Sequence, residues 1–268
     1  MIASFRMYNA TPRIAAAWRA LFGRAFAELG LDIAIVDHAW PEPLESLWRD
    51  PALACGFMCG WPFARAQRPL QPIAAPVPAP ARYAGEPRYR SDFLVREDSG
   101  WTRLEDAFGS RFGWMSANSQ SGFNGPRAHL ARFVSRERPA LFRAVAGPLG
   151  TPARALEALR EGEVDAVALD GYYLDLLRHD DPDRLNGMRA VASTDWAPMP
   201  LLVAAPDIPG RTVERLRAKL TQLHADPSWR PLLGAVLLER FAPPESARYA
   251  ALEAMASEAR ERGYEAIR

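Results

Sequence analysis

Short apolar runs of strand length alternate with helix-length amphipathic stretches along almost the whole chain, and this alternation limits the fold more than any other feature. Residues 2–7 read as a strand. Residues 12–28 follow as a helix, with Ile14, Trp18, Leu21, Phe22 and Phe26 on one face. Strands are expected at 32–37 and 54–58, with a short helix at 43–49 between them. Strands are also expected at 90–96, 111–115, 145–149, 164–169, 189–192 and 201–205. Helices are expected at 104–108, 122–133, 151–162, 172–177, 212–225, 229–238 and 246–262. Thr151 is suited to an N-cap and Pro152 to the first helical position behind it. Strands that alternate with helices call for an α/β fold with parallel-rich sheets covered on both faces.

Residues 69–81 break the pattern with five prolines in thirteen positions. They cannot form a helix and are expected as an extended edge segment or a loop. At 268 residues the chain is long enough for one large domain or two ordinary α/β lobes. Basic and acidic residues nearly cancel, 33 against 32, so no strong field draws the chain to nucleic acid or to an acidic membrane. No apolar run approaches the ~20 residues that span a bilayer. The first residues read as a folded strand, not as a basic and apolar export signal. The expectation is therefore a cytoplasmic protein or a mature form whose leader has been removed.

Cys55 and Cys59 flank a short segment, and His38, His129, His179 and His224 are scattered with no metal-like spacing to them. Buried core thiols are the preferred reading over a redox pair or a metal site. No metal and no cofactor is called for.

The polar stretch Asn118, Ser119, Gln120, Ser121 and Gly122 stands directly before a helix pattern. Free backbone N–H groups and the partial positive charge of a helix N-terminus favour phosphate, phosphonate or sulfonate there. The same residues also suit plain N-capping. On this stretch alone both readings stand.

A wider set of motifs adds to it. Asp98-Ser99-Gly100, Leu104-Glu105-Asp106, Gly109-Ser110-Arg111-Phe112, the 118–122 stretch, Pro126-Arg127 and Leu130 occur in that order. They are followed by Gly162-Glu163-Val164-Asp165-Ala166 and by Pro200-Leu201-Leu202-Val203. Together with Cys59-Gly60-Trp61-Pro62, this order resembles the phosphate/phosphonate-type substrate-binding proteins of ABC transporters. The resemblance runs over nearly the whole chain.

The resemblance implies a type 2 periplasmic-binding-protein fold: two α/β lobes, each a mixed sheet flanked by helices, with a ligand cleft between them. Lobe I would comprise 1–88 plus 198–268, and lobe II the inserted 89–197, with hinges near 89–92 and 195–199. It implies capture of a small oxyanion (phosphate, phosphite, phosphonate or similar) by hinge closure, for delivery to an ABC transporter permease, without chemistry. Ser119, Gln120 and Ser121 match the family's anion loop, with Asn118 and Gly122 beside them. Tyr8 and Trp61 would face the ligand from the first lobe, or serve as packing residues. Asp170 and Tyr172 stand at the C-terminal end of a strand, where open α/β sheets place ligands. Asp170 would either receive an ammonium or cap the helix that follows.

Aminophosphonate binders of the family bring a carboxylate near the return strand. The comparable stretch here, Trp196-Ala197-Pro198-Met199-Pro200, has no acid. A ligand without an amine is expected, as is a monomer whose family is usually periplasmic. An enzyme or a cytoplasmic ligand sensor on the same fold is the alternative. No histidine falls in a segment assigned to the cleft, which weighs against an enzyme.

Overall fold

A computed structural model describes residues 1–268. The chain forms two compact units, Met1–Arg88 with Pro198–Arg248, and Tyr89–Ala197 with Tyr249–Arg268.

The chain begins in the first unit with β1 (Ile2–Ser4) and α1 (Pro12–Glu28). β1 is shorter than expected because a 3₁₀ turn over Arg6–Tyr8 follows, with the Tyr8 carbonyl accepting from Trp18 Nε1 at 3.2 Å. Thr11 caps α1 by accepting from the Ile14 N–H at 3.1 Å, and Pro12 starts it. Next come β2 (Ala34–Ile35), α2 (Leu44–Arg49), β3 (Leu53–Met58), α3 (Gly60–Ala64), β4 (Gln71–Pro78) and β5 (Arg88–Tyr89).

The second unit continues through β6 (Ser91–Arg96), β7 (Arg111–Gly113), α4 (Gly125–Leu130) and β8 (Ala144–Ala146). It then holds α5 (Pro152–Arg160), β9 (Ala166–Asp170), α6 (Gly171–Asp180), β10 (Met188–Ser193) and β11 (Ala197–Pro198). Thr151 caps α5 as expected, accepting from the Arg154 N–H at 3.1 Å. The chain returns to the first unit with β12 (Leu201–Ala204), α7 (Gly210–Gln222), α8 (Arg230–Ala235) and β13 (Leu238–Ala242). It ends in the second unit with α9 (Ala250–Glu261).

Both large sheets are mixed. The first has the order β13-β4-β12-β3-β1-β2, with β1 parallel to β2 and β3 and the other pairs antiparallel. The second has the order β10-β6-β9-β7-β8, with β7 parallel to β8 and β9, and β6 antiparallel to β9 and β10. The parallel-rich expectation gives way because returning strands insert against the direction of their neighbours.

The proline-rich strand β4 lies inside its sheet, between β13 and β12, and not at an edge. Register shifts in both of its ladders accommodate residues that lack a donor. The helix expected over 229–238 is shorter than read. It stops at Ala235, Leu237 takes a left-handed φ of 51°, and β13 begins at Leu238.

An aromatic group holds the first unit together. Phe5 stacks on Phe22 at 3.9 Å between ring centroids, and Phe57 meets Trp18 edge-on at 5.2 Å. In the second unit, Phe93, Leu104, Phe112, Leu130 and Phe142 pack with Ala259, Tyr264 and Ile267. The last three correct the expected lobe assignment of the C-terminal segment. Residues 249–268 pack on the second unit and not the first, because Leu252, Ala256, Ala259, Tyr264 and Ile267 are buried. Each large apolar side chain buried there is worth about 1.5–3 kcal/mol.

Candidate functional site

The polar stretch after β7 folds as a single π-helical turn, Gln120–Asn124, running straight into α4. Its bonds close over five residues: the Asn124 N–H donates to the Ser119 carbonyl at 2.9 Å, and the Gly125 N–H donates to that of Gln120. Such widened turns are rare and recur at functional sites. Ser119 caps the turn, its Oγ accepting from the Gly122 N–H at 2.9 Å. Its hydroxyl hydrogen is left to donate elsewhere.

Ser121 is 8 % exposed and its side chain makes no hydrogen bond within the chain. Asn118 is exposed, and its N–H donates to Ser116 Oγ at 3.3 Å. Gly122 is required by close approach. A Cβ there would lie 2.6 Å from Met115 Cβ, while the Met115 N–H donates to the Gly122 carbonyl at 3.2 Å.

Gln120 is placed differently from the other turn residues. It is 2 % exposed; its Oε1 accepts from Asn124 Nδ2 at 2.8 Å, and its Nε2 donates to Met255 Sδ at 3.3 Å. Its amide is thus turned to the protein interior.

Asp170 ends β9 and caps α6, accepting from the N–H groups of Tyr172 at 2.8 Å and Tyr173 at 3.1 Å. Tyr172 is wholly buried, and burial pushes its hydroxyl pKa well above the usual tyrosine value. In the first unit, Tyr8 is buried with its ring edge-on to Phe57 at 5.0 Å. Trp61 lies in α3, buried, with the Arg65 guanidinium 4.7 Å over its ring. Met199 is fully buried, and its N–H donates to the Pro87 carbonyl at 3.0 Å. Asp195 is hydrogen-bonded and ion-paired to Arg132, which holds its carboxyl below the usual aspartate value.

A family model described as the periplasmic substrate-binding protein of phosphonate ABC transporters matches residues 12–249. The chain belongs to this family. The phosphonate-binding protein PhnD1 of Prochlorococcus marinus, solved with methylphosphonate, superposes with a TM-score of 0.78 at 18 % identity, covering 97 % of each chain. The binding-protein component of an ABC phosphonate transporter from Pseudomonas aeruginosa gives 0.75 at 15 % identity, covering 98 % of this chain and 96 % of that one. A protein of Xanthomonas citri bound to ATP gives 0.64 at 18 % identity, covering 98 % and 97 %. No curated protein matches.

This phosphonate-type binding protein therefore has the type 2 periplasmic-binding-protein fold and serves ligand capture for an ABC transporter. Its family is a periplasmic one, and no helix is long and apolar enough to cross a membrane. Both cysteines are free and buried, and burial alone pushes the Cys55 thiol far above its ordinary value.

Several polar residues of this binding protein have no site role assigned from sequence, Arg127 among them although it belongs to the family motif. Asn124 and Arg127 are buried and bonded to each other and to the C-terminal segment. Asn9 Oδ1 is shut off from solvent without a partner, directly after Tyr8. Polar residues at helical spacing inside an otherwise apolar stretch were the available signal for Asn124 and Arg127.

Proposed function

We propose that the turn at 118–122 holds a small phosphonate or related oxyanion, and that the protein delivers it to a permease unchanged. The unpartnered Ser121 hydroxyl in a nearly buried π turn carries the reading, since a hydroxyl in that setting is suited to donate to an anion. Ser119, bonded as an acceptor to the Gly122 N–H, keeps a donor to offer. The methylphosphonate held by the Prochlorococcus relative supports the ligand class.

The lack of an acid in Trp196–Pro200 supports a ligand without an amine, and Asp170 has its Oδ1 engaged by two backbone donors at the start of α6. Capture of the anion without covalent chemistry needs no nucleophile or base.

The test is calorimetry with methylphosphonate. Changing Ser119 and Ser121 together to alanine is expected to cost about 3 kcal/mol, roughly a hundredfold in Kd. Unchanged affinity in the folded double variant overturns the assignment.

A further inference from the structure

A buried chain of hydrogen bonds runs behind the proposed anion turn and ends on the C-terminal segment. Arg127 Nη2 donates to Asn124 Oδ1 at 2.9 Å, and Asn124 Nδ2 donates to Gln120 Oε1 at 2.8 Å. Three further bonds reach Tyr249–Arg268. Arg127 Nη1 donates to the Glu265 carbonyl at 2.7 Å, Asn124 Nδ2 to that of Leu252 at 3.1 Å, and Gln120 Nε2 to Met255 Sδ at 3.3 Å. Two of these acceptors are main-chain carbonyls. They therefore respond to where the C-terminal backbone lies, whatever side chains it carries.

A π turn has poorer intrinsic geometry than an α-helix and persists where its surroundings hold it. Relaxing it to α-helical spacing shifts the register by one residue, about 100° of rotation about the axis. Such a shift would turn Ser121 away from its present direction. Gln120 opens the turn and is gripped at both ends of its amide, so the π register is set by what Gln120 is bonded to. Buried polar networks of this kind rigidify when satisfied and are costly when one member is lost.

We propose that Tyr249–Arg268 is a strap that sets the shape of the anion turn, with Asn124 and Arg127 as its positioning residues. The proposal rests on the reading of 118–122 as the ligand site.

Full-length variants test it through the Kd for methylphosphonate and through amide hydrogen exchange. Asn124→Ala is expected to raise Kd at least about tenfold and to speed exchange across 119–125. Met255→Leu keeps the volume and removes only the sulfur acceptor; it is expected to raise Kd about threefold and decides the matter if Asn124→Ala does not fold. Arg178→Ala, which removes an exposed pair with Asp175 on α6 away from both the strap and the turn, should bind as wild type. Wild-type Kd and wild-type exchange at 119–125 in a folded Asn124→Ala or Met255→Leu variant overturn the proposal. So does faster exchange confined to 249–268. If the Ser119/Ser121 double variant binds normally, the site reading and the strap's role fail together. If that variant loses binding while the strap variants keep it, the strap alone fails.

Discussion

Replacing Gly122 by alanine tests whether the close approach of the anion turn to Met115 governs both stability and binding. The added Cβ would stand 2.6 Å from Met115 Cβ and 2.8 Å from its Cγ and Sδ. Carbon atoms rest at about 3.5–4.0 Å, so roughly 1 Å of separation must be found. Neither side yields easily. The Met115 N–H donates to the Gly122 carbonyl at 3.2 Å, and the Met115 carbonyl accepts from the Gly150 N–H at 2.9 Å. Overpacking of this kind costs about 1–3 kcal/mol. At about 2–4 °C per kcal/mol for a protein of this size, the melting temperature should fall by about 2–12 °C. Because the turn itself must move, the Kd for methylphosphonate should rise at least about tenfold as the bonds to the anion lengthen. Thermal denaturation followed by circular dichroism gives the first quantity and calorimetry the second. Adding Met115→Gly to Gly122→Ala should recover part of both losses, a coupling of about 1 kcal/mol or more. An unchanged melting temperature and Kd in Gly122→Ala would show that the close approach constrains nothing.

Three further outcomes follow from the same geometry. Ethylphosphonate should bind at least about tenfold more tightly than 2-aminoethylphosphonate, since a buried ammonium without a carboxylate is costly; tighter binding of the amine, abolished by Asp170→Asn, would show that Asp170 leaves its cap to meet the ligand. Asp165 accepts from Arg111 Nε at 3.0 Å and Nη2 at 2.8 Å, which holds its carboxyl below the ordinary 3.8. Its stabilisation is therefore present at neutral pH and lost as pH falls below about 3.8. Asp165→Asn should lower the urea midpoint at pH 7 by the equivalent of about 1–3 kcal/mol and narrow the gap between pH 7 and pH 3; an equal gap in both proteins refutes the assignment. Cys55 is wholly buried with its thiol pKa raised, so iodoacetamide should label it only after unfolding; rapid labelling of the native protein would contradict that burial.

Much of this protein was legible in the sequence because it is written between near neighbours. Thr11-Pro12 and Thr151-Pro152 announce the starts of α1 and α5, since a cap and a fixed φ act within one turn. The ordered motifs from Asp98 to Leu130, with Gly162 to Ala166, carried the family. What remained depends on partners distant in the chain. The prolines of β4 argue for an edge when read locally, yet the strand is flanked by β12 and β13 because shifts in both ladders absorb the missing donors. The run after Trp229 suits a helix or a strand, and pairing with β4 decides where one ends and the other begins. The apolar face of α9 reads identically whichever unit it covers; the place of Ala259 in the second unit's core, alongside Leu130 and Phe112, settles it. Gln120 matches the family's anion loop by position, but where its amide points could not be read from neighbours. It turns toward Asn124 and Met255, and Met255 lies 135 residues further along the chain. Local sequence determines which segments become helix or strand and where they start. Which surfaces they cover, and where a buried amide points, is decided by tertiary packing, because burial and hydrogen-bond satisfaction depend on groups that meet only when the chain has folded.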